Sequence, residues 1–153
     1  MKTLILEEGS FEKARKKIKE SEGKEIIFGS RDDELSKKIL EKEDISTFLV
    51  FLRGRKDSAK QRNSGLDSVM ARVAKKKGIT IGILLDEILE SSGKEKAEIL
   101  ARVRQNIELC KKNRLKAEFI SLAEKNRRNS FDLKSLGLVL GMPTEMVKIS
   151  GNA

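Results

Sequence analysis

Apolar positions along the chain alternate between two periods. Residues 3–7, with the apolar run 4–6 at their centre, suit a strand. Phe11, Ala14 and Ile18 then recur at helical spacing, between Ser10, a good N-cap, and Gly23, a good helix terminator. The pair repeats: residues 25–29 predict a strand, Ser30 and Asp33 are spaced as a capping box, and Leu35, Ile39 and Leu40 share one helical face. Residues 45–52 are the most apolar stretch, rich in β-branched and aromatic side chains, and suit a central strand covered on both faces.

The second half follows the same grammar. Ser64 and Asp67 form another capping-box pair, and Leu66, Val69, Met70, Val73 and Ala74 trace an amphipathic helix closed by Gly78. Residues 79–85 predict a strand. After Gly93 comes a helix whose stripe is Leu100, Val103, Ile107 and Cys110. Residues 115–121 predict a strand, followed by a basic loop and a helix over 132–140 that ends at Gly141 and Pro143.

Repeated β-then-α units require a parallel sheet with right-handed crossovers, which makes the class α/β. Five strands are counted, six if residues 147–150 add one. A closed eight-stranded βα barrel needs roughly 250 residues and rarely fewer than about 200. With 153 residues, the expectation is a single domain over 1–153, TIM-barrel-like but incomplete.

Composition narrows the picture. The first apolar run ends in two glutamates and no stretch suits a membrane span, so neither a signal peptide nor a membrane segment is expected. Cys110 is the single cysteine, which excludes an internal disulfide and fits core packing in a reducing cytoplasm. Lysine and arginine number 33 against 24 acids, a net charge of +9, and that excess attracts polyanions.

In parallel α/β folds the loops after the carboxyl ends of the strands carry the site. The loop after the third strand holds Arg53, Arg55, Lys56, Lys60 and Arg62. The loop after the fifth holds Lys125, Arg127 and Arg128, on the same edge of the sheet. Such clusters suit phosphate through charge-assisted hydrogen bonds, although solvated loop charges in a lysine-rich chain give the same pattern. There is no histidine, no glycine-rich nucleotide fingerprint and no nucleophile paired with a base, so no catalytic residue is assigned. No metal site is assigned either, because Asp32, Asp33 and Glu34 read as helix-capping acids. Without tryptophan or tyrosine, and with only Phe51 or Phe131 to stack on bases, backbone recognition is favoured over base reading.

Residues 56–82, running from Lys56-Asp57 through Asn63-Ser-Gly-Leu-Asp-Ser-Val-Met-Ala-Arg to Gly82, resemble a helix and strand of the ribonuclease P protein component 3 family. So do Ala101-Arg-Val-Arg-Gln-Asn-Ile-Glu-Leu-Cys-Lys-Lys112 and Asp132-Leu-Lys-Ser-Leu-Gly-Leu-Val-Leu-Gly-Met142, in the same order, the resemblance being strongest over 56–142. The resemblance implies a βα-barrel fold and an archaeal or eukaryotic ribonucleoprotein endonuclease. In that complex a magnesium-dependent catalytic RNA removes 5′ leaders from precursor tRNA. This chain would then be a non-catalytic subunit that binds ribonuclease P RNA, pairs with protein component 2 and itself binds no cofactor. Arg128 stands where the family places an arginine.

Asp86 replaces a residue that tends to be basic in the family, and Ser130 replaces an expected proline. The chain also reads as about two βα units shorter, which leaves strand edges for a second copy, component 2 or a terminal segment to cover. The alternative is an RNA-binding or structural scaffold of the same descent outside ribonuclease P. A metal-dependent phosphoesterase of related shape would need the histidine ligands this chain lacks.

Overall fold

The computed structural model describes residues 2–146. In chain order the elements are β1 Lys2–Leu6, α1 Phe11–Glu20, β2 Glu25–Gly29, α2 Asp33–Lys42, β3 Thr47–Val50 and α3 Ser68–Lys77. They continue with β4 Thr80–Leu84, α4 Leu85–Leu89, α5 Gly93–Asn113, β5 Ala117–Ile120, a 3-10 turn Glu124–Asn126 and α6 Ser130–Val139. All strands are parallel and lie in the order β1-β2-β3-β4-β5. Each strand pairs with its successor, so every crossover turns the same way and the helices gather on one face. Accordingly α1 packs on α2, α2 on α3 and α3 on α5.

The main core lies between sheet and helices. Phe28, Phe48, Ile81 and Phe119 from the strands meet Ile39, Ala74, Val103, Ile107 and Cys110 from the helices. The other face carries a smaller cluster of Ile27, Leu49, Phe51, Leu84 and Ile120. A Cβ on Gly82 would lie 2.8 Å from Ile120 Cδ1 and 3.1 Å from Thr47 Cγ2, so the bare backbone there lets neighbouring side chains close over the strand. Closure stops short of a barrel. Among the described residues β1 and β5 each have one strand neighbour, and Leu4 and Leu6 of β1 stand 44% and 43% exposed. The fold is α/β and TIM-barrel-like with an open sheet.

Local chemistry shifts several boundaries. Asp32, not Ser30, caps α2: its carboxylate accepts from the Glu34 and Leu35 amides at 3.1 and 3.2 Å, while Ser30 Oγ accepts from Asp32 N. Asp67, not Ser64, caps α3 by accepting from Met70 N at 2.8 Å, and the buried Ser64 hydroxyl donates to Leu66 O. An ionised cap at the first turn also complements the helix dipole, which favours aspartate. Because α3 starts at Ser68, Val69 is 54% exposed and the buried face is Met70, Ala71 and Ala74.

The apolar run 45–52 pairs as a strand only over Thr47–Val50. The run 79–85 ends as β4 at Leu84, and Leu85 opens the short α4, which its apolar neighbours disguise in the sequence. Strand 115–121 contracts to Ala117–Ile120, and α6 begins at Ser130 behind Asn129, whose side chain accepts from Asp132 N at 2.8 Å. Residues 147–150 lie outside the described residues. No helix of the described residues is long and apolar enough to cross a membrane.

Candidate nucleic-acid interface

Parallel pairing of β3, β4 and β5 brings the loop after β3 (residues 51–67) and the loop after β5 (residues 121–129) to one edge of the sheet, on either side of the end of β4. Two consecutive acids there hold both loops. Glu87 is 4% exposed, and its two oxygens accept from Leu52 N and Arg53 N, each at 2.8 Å. Asp86 is 7% exposed and accepts from Leu122 N at 2.7 Å, Ala123 N at 2.9 Å and Asn126 Nδ2 at 2.8 Å. Burial pushes the Asp86 carboxyl upward, yet the bonds from Asn126, Leu122 and Ala123 outweigh it and hold the group below the usual aspartate range. The acid at the position where the resembled family tends toward a basic residue is therefore a buried anchor for the loop after β5.

The loop after β3 has a second support, from α5. Arg102 is 4% exposed; its Nε donates to Asn63 O at 2.9 Å and its Nη2 to Arg55 O at 2.8 Å and Asp57 Oδ1 at 3.0 Å. Gln105 Nε2 donates to Arg62 O and Asn106 Nδ2 to Ser64 O, at 3.0 and 2.9 Å. Asp57 also accepts from Asn63 N at 2.7 Å. That bond, ahead of Arg102, holds its carboxyl low against the opposing effect of desolvation. These residues were not singled out from the sequence as site residues. The signal available was polar Arg102, Gln105 and Asn106 at i, i+3 and i+4, flanking the apolar stripe of a helix.

The eight basic positions divide into two kinds. Arg55 is turned inward: its Nε donates to Phe51 O at 2.6 Å and its Nη1 reaches the Asp33 carboxylate at 2.9 Å, leaving the side chain 10% exposed. Arg53 Nε lies 3.5 Å from Glu95, and Lys125 Nζ 3.5 Å from Glu90. Arg128 Nη1 donates to the carbonyls of Lys125 and Arg127. Lys56, Lys60, Arg62 and Arg127 are exposed. Among the described residues, neither these four nor Arg128 joins an ion pair. Lys56 and Arg62, with Lys37, Asp33, Asn63 and Asp67, line an open depression of about 300 Å³ beside the start of α3. Such a surface offers exposed cations on a loop whose backbone is fixed from below by carboxylates and amides. It suits phosphate contact more than base reading. Among the described residues, no three acidic or cysteine side chains converge as a metal site.

No family model matches the chain. It is 33% identical over 89 residues to the protein named Ribonuclease P protein component 3 of Methanosarcina acetivorans, covering 58% of this chain and 33% of that one. It is 32% identical over 102 residues to the protein of the same name from Thermococcus kodakarensis, covering 65% of this chain and 43% of that one. Thus the matched segments span between a third and about two fifths of those relatives' length. Among solved structures, a chain in the cryo-EM structure of archaeal Ribonuclease P with mature tRNA superposes with a TM-score of 0.74. That superposition covers 95% of this chain and 62% of the other at 22% identity, a likeness of fold.

Proposed function

Since the chain is a relative of proteins named Ribonuclease P protein component 3, we propose that it is a protein subunit of ribonuclease P. In this reading it binds the catalytic RNA that removes 5′ leaders from precursor tRNA and supports its active fold. Cleavage and its magnesium belong to the RNA, and protein component 2 is the neighbouring subunit. The carrying observation is sequence similarity to these relatives within a fold shared, over 95% of this chain, with a ribonuclease P chain. The exposed Lys56, Lys60, Arg62, Arg127 and Arg128 supply phosphate contacts, and Lys125 and Arg53 join them when RNA outcompetes their weakly held acids. Arg55 contributes by shaping the loop.

The test is precursor-tRNA cleavage by cognate ribonuclease P RNA at limiting magnesium, with component 2 alone and with component 2 plus the full chain. Stimulation that weakens in the Lys56→Ala, Arg62→Ala double variant supports the reading. RNA binding without stimulation overturns it in favour of a scaffold of the same descent. Absence of both overturns it altogether.

A further inference from the structure

The excess positive charge of the chain is concentrated at the opposite end of the sheet from these loops. The stretch of α3 from Arg72 to its end and the stretch of α5 from Glu108 to its end, with the connections into β4 and β5, carry Arg72, Lys75, Lys76, Lys77, Lys111, Lys112, Arg114 and Lys116 against the single acid Glu108. All eight are exposed. Their excess of seven charges compares with a net +9 for the whole chain. On the other helices many cations are matched by acids, as where Arg15 meets Glu43 and Lys17 meets Glu7.

The two helix ends form one surface. Lys75 Nζ donates to Arg114 O at 3.1 Å and so ties the end of α3 to the end of α5. Lys77 is bound to Leu40 O and Glu43 O, and Lys111 to Glu108. Arg72, Lys76, Lys112, Arg114 and Lys116 make no side-chain hydrogen bond or ion pair among the described residues.

One or two cations in a last turn are expected, because they complement the helix dipole. Arg114 and Lys116 lie beyond that turn. Arg114 is also the one non-glycine among the described residues with a positive φ, 55°. The equivalent position of α3 is Gly78, with φ 71°, the residue that takes this conformation without steric cost. A strained arginine stands where glycine is cheaper, inside this basic surface. Such strain is characteristic of functional positions.

We infer that the ends of α3 and α5 form a second RNA-binding surface, which takes the phosphate backbone of a duplex through Arg72, Lys76, Lys112, Arg114 and Lys116. The two segments hold no aromatic side chain, which disfavours stacking on unpaired bases and leaves backbone contact. With loop cations at one end of the sheet and this surface at the other, the chain can bridge two RNA segments.

The test measures binding of the full chain to a generic RNA duplex of about 20 base pairs as a function of salt. It does not depend on cleavage, so it stands apart from the ribonuclease P reading. The Lys76→Gln, Lys112→Gln, Lys116→Gln variant is expected to lose at least about tenfold in affinity and to flatten the salt slope by roughly two to three. Arg114→Gly is expected to lose affinity while raising the melting temperature by about 2–4 °C, a combination that a purely structural arginine cannot produce. If the triple variant melts earlier but binds duplex as before, the lysines serve the helix dipoles and the inference is overturned. Unchanged duplex binding with loss of binding to poly-glutamate overturns it in favour of an acidic protein partner.

Discussion

Asp86 Oδ2 accepts from Asn126 Nδ2 at 2.8 Å, across 40 residues of sequence, and through that bond the first turn of α4 fixes the loop after β5. Two backbone amides, of Leu122 and Ala123, complete the grip. Replacement by alanine leaves three donors without this acceptor. Asp86→Ala should cost about 2–3 kcal/mol and lower the melting temperature by roughly 5–10 °C, measured by thermal unfolding.

The same carboxylate sets an acid limit. Its folded pKa lies below the ordinary value of 3.8, so the unfolded chain binds the proton first. Its stabilisation is therefore complete above the ordinary aspartate range and is lost as pH falls through the depressed folded value. Asp86→Asn should flatten the fall in melting temperature between about pH 5 and pH 2 relative to the parent chain. A parallel acid limb in both proteins would refute the assignment.

Glu87 holds the other loop with both oxygens, and glutamine has only one oxygen to offer the Leu52 and Arg53 amides. Glu87→Gln should destabilise by about 1–3 kcal/mol and speed amide exchange at those two positions more than in β3. Exchange measured by mass spectrometry or NMR decides it.

Arg102 supports the same loop through a planar fork reaching Asn63 O, Arg55 O and Asp57. Lysine cannot reproduce that geometry. Both Arg102→Met and Arg102→Lys should therefore lose about 2–3 kcal/mol in denaturant unfolding, and rescue by lysine would show that charge alone matters.

Arg55 and Lys56 are adjacent in sequence and differ in role. Arg55→Ala should destabilise the fold, because Phe51 O and Asp33 lose their donor. Lys56→Ala should leave the melting temperature unchanged and reduce the salt slope of RNA binding by about one. Equal thermal effects of the two substitutions would contradict this division.

Cys110 is 1% exposed, and burial pushes its thiol up to about 12. A thiol reagent at neutral pH should leave the native chain unmodified and label it fully after denaturation. Rapid native labelling would show that α5 opens.

Much of the architecture is decided by the order of residues alone. The 2-to-3.6 alternation of apolar positions specifies five strands and the longer helices between them, though not the short α4, since each of these elements needs one buried face whatever its neighbours do. Gly78 ends α3 because a left-handed residue closes a helix at little cost. The basic character of the loops is equally visible in composition. Tertiary structure decided the rest, because it depends on groups distant in sequence. Nothing local tells Arg55 from Lys56 until Asp33 and Phe51 O arrive beside one and not the other. Nothing local marks Asp86 and Glu87 as buried acceptors until the parallel sheet sets the amides of two loops against them. Gathering of charge at the ends of α3 and α5 likewise required two helices, separated by β4 and α4 in the sequence, to finish side by side.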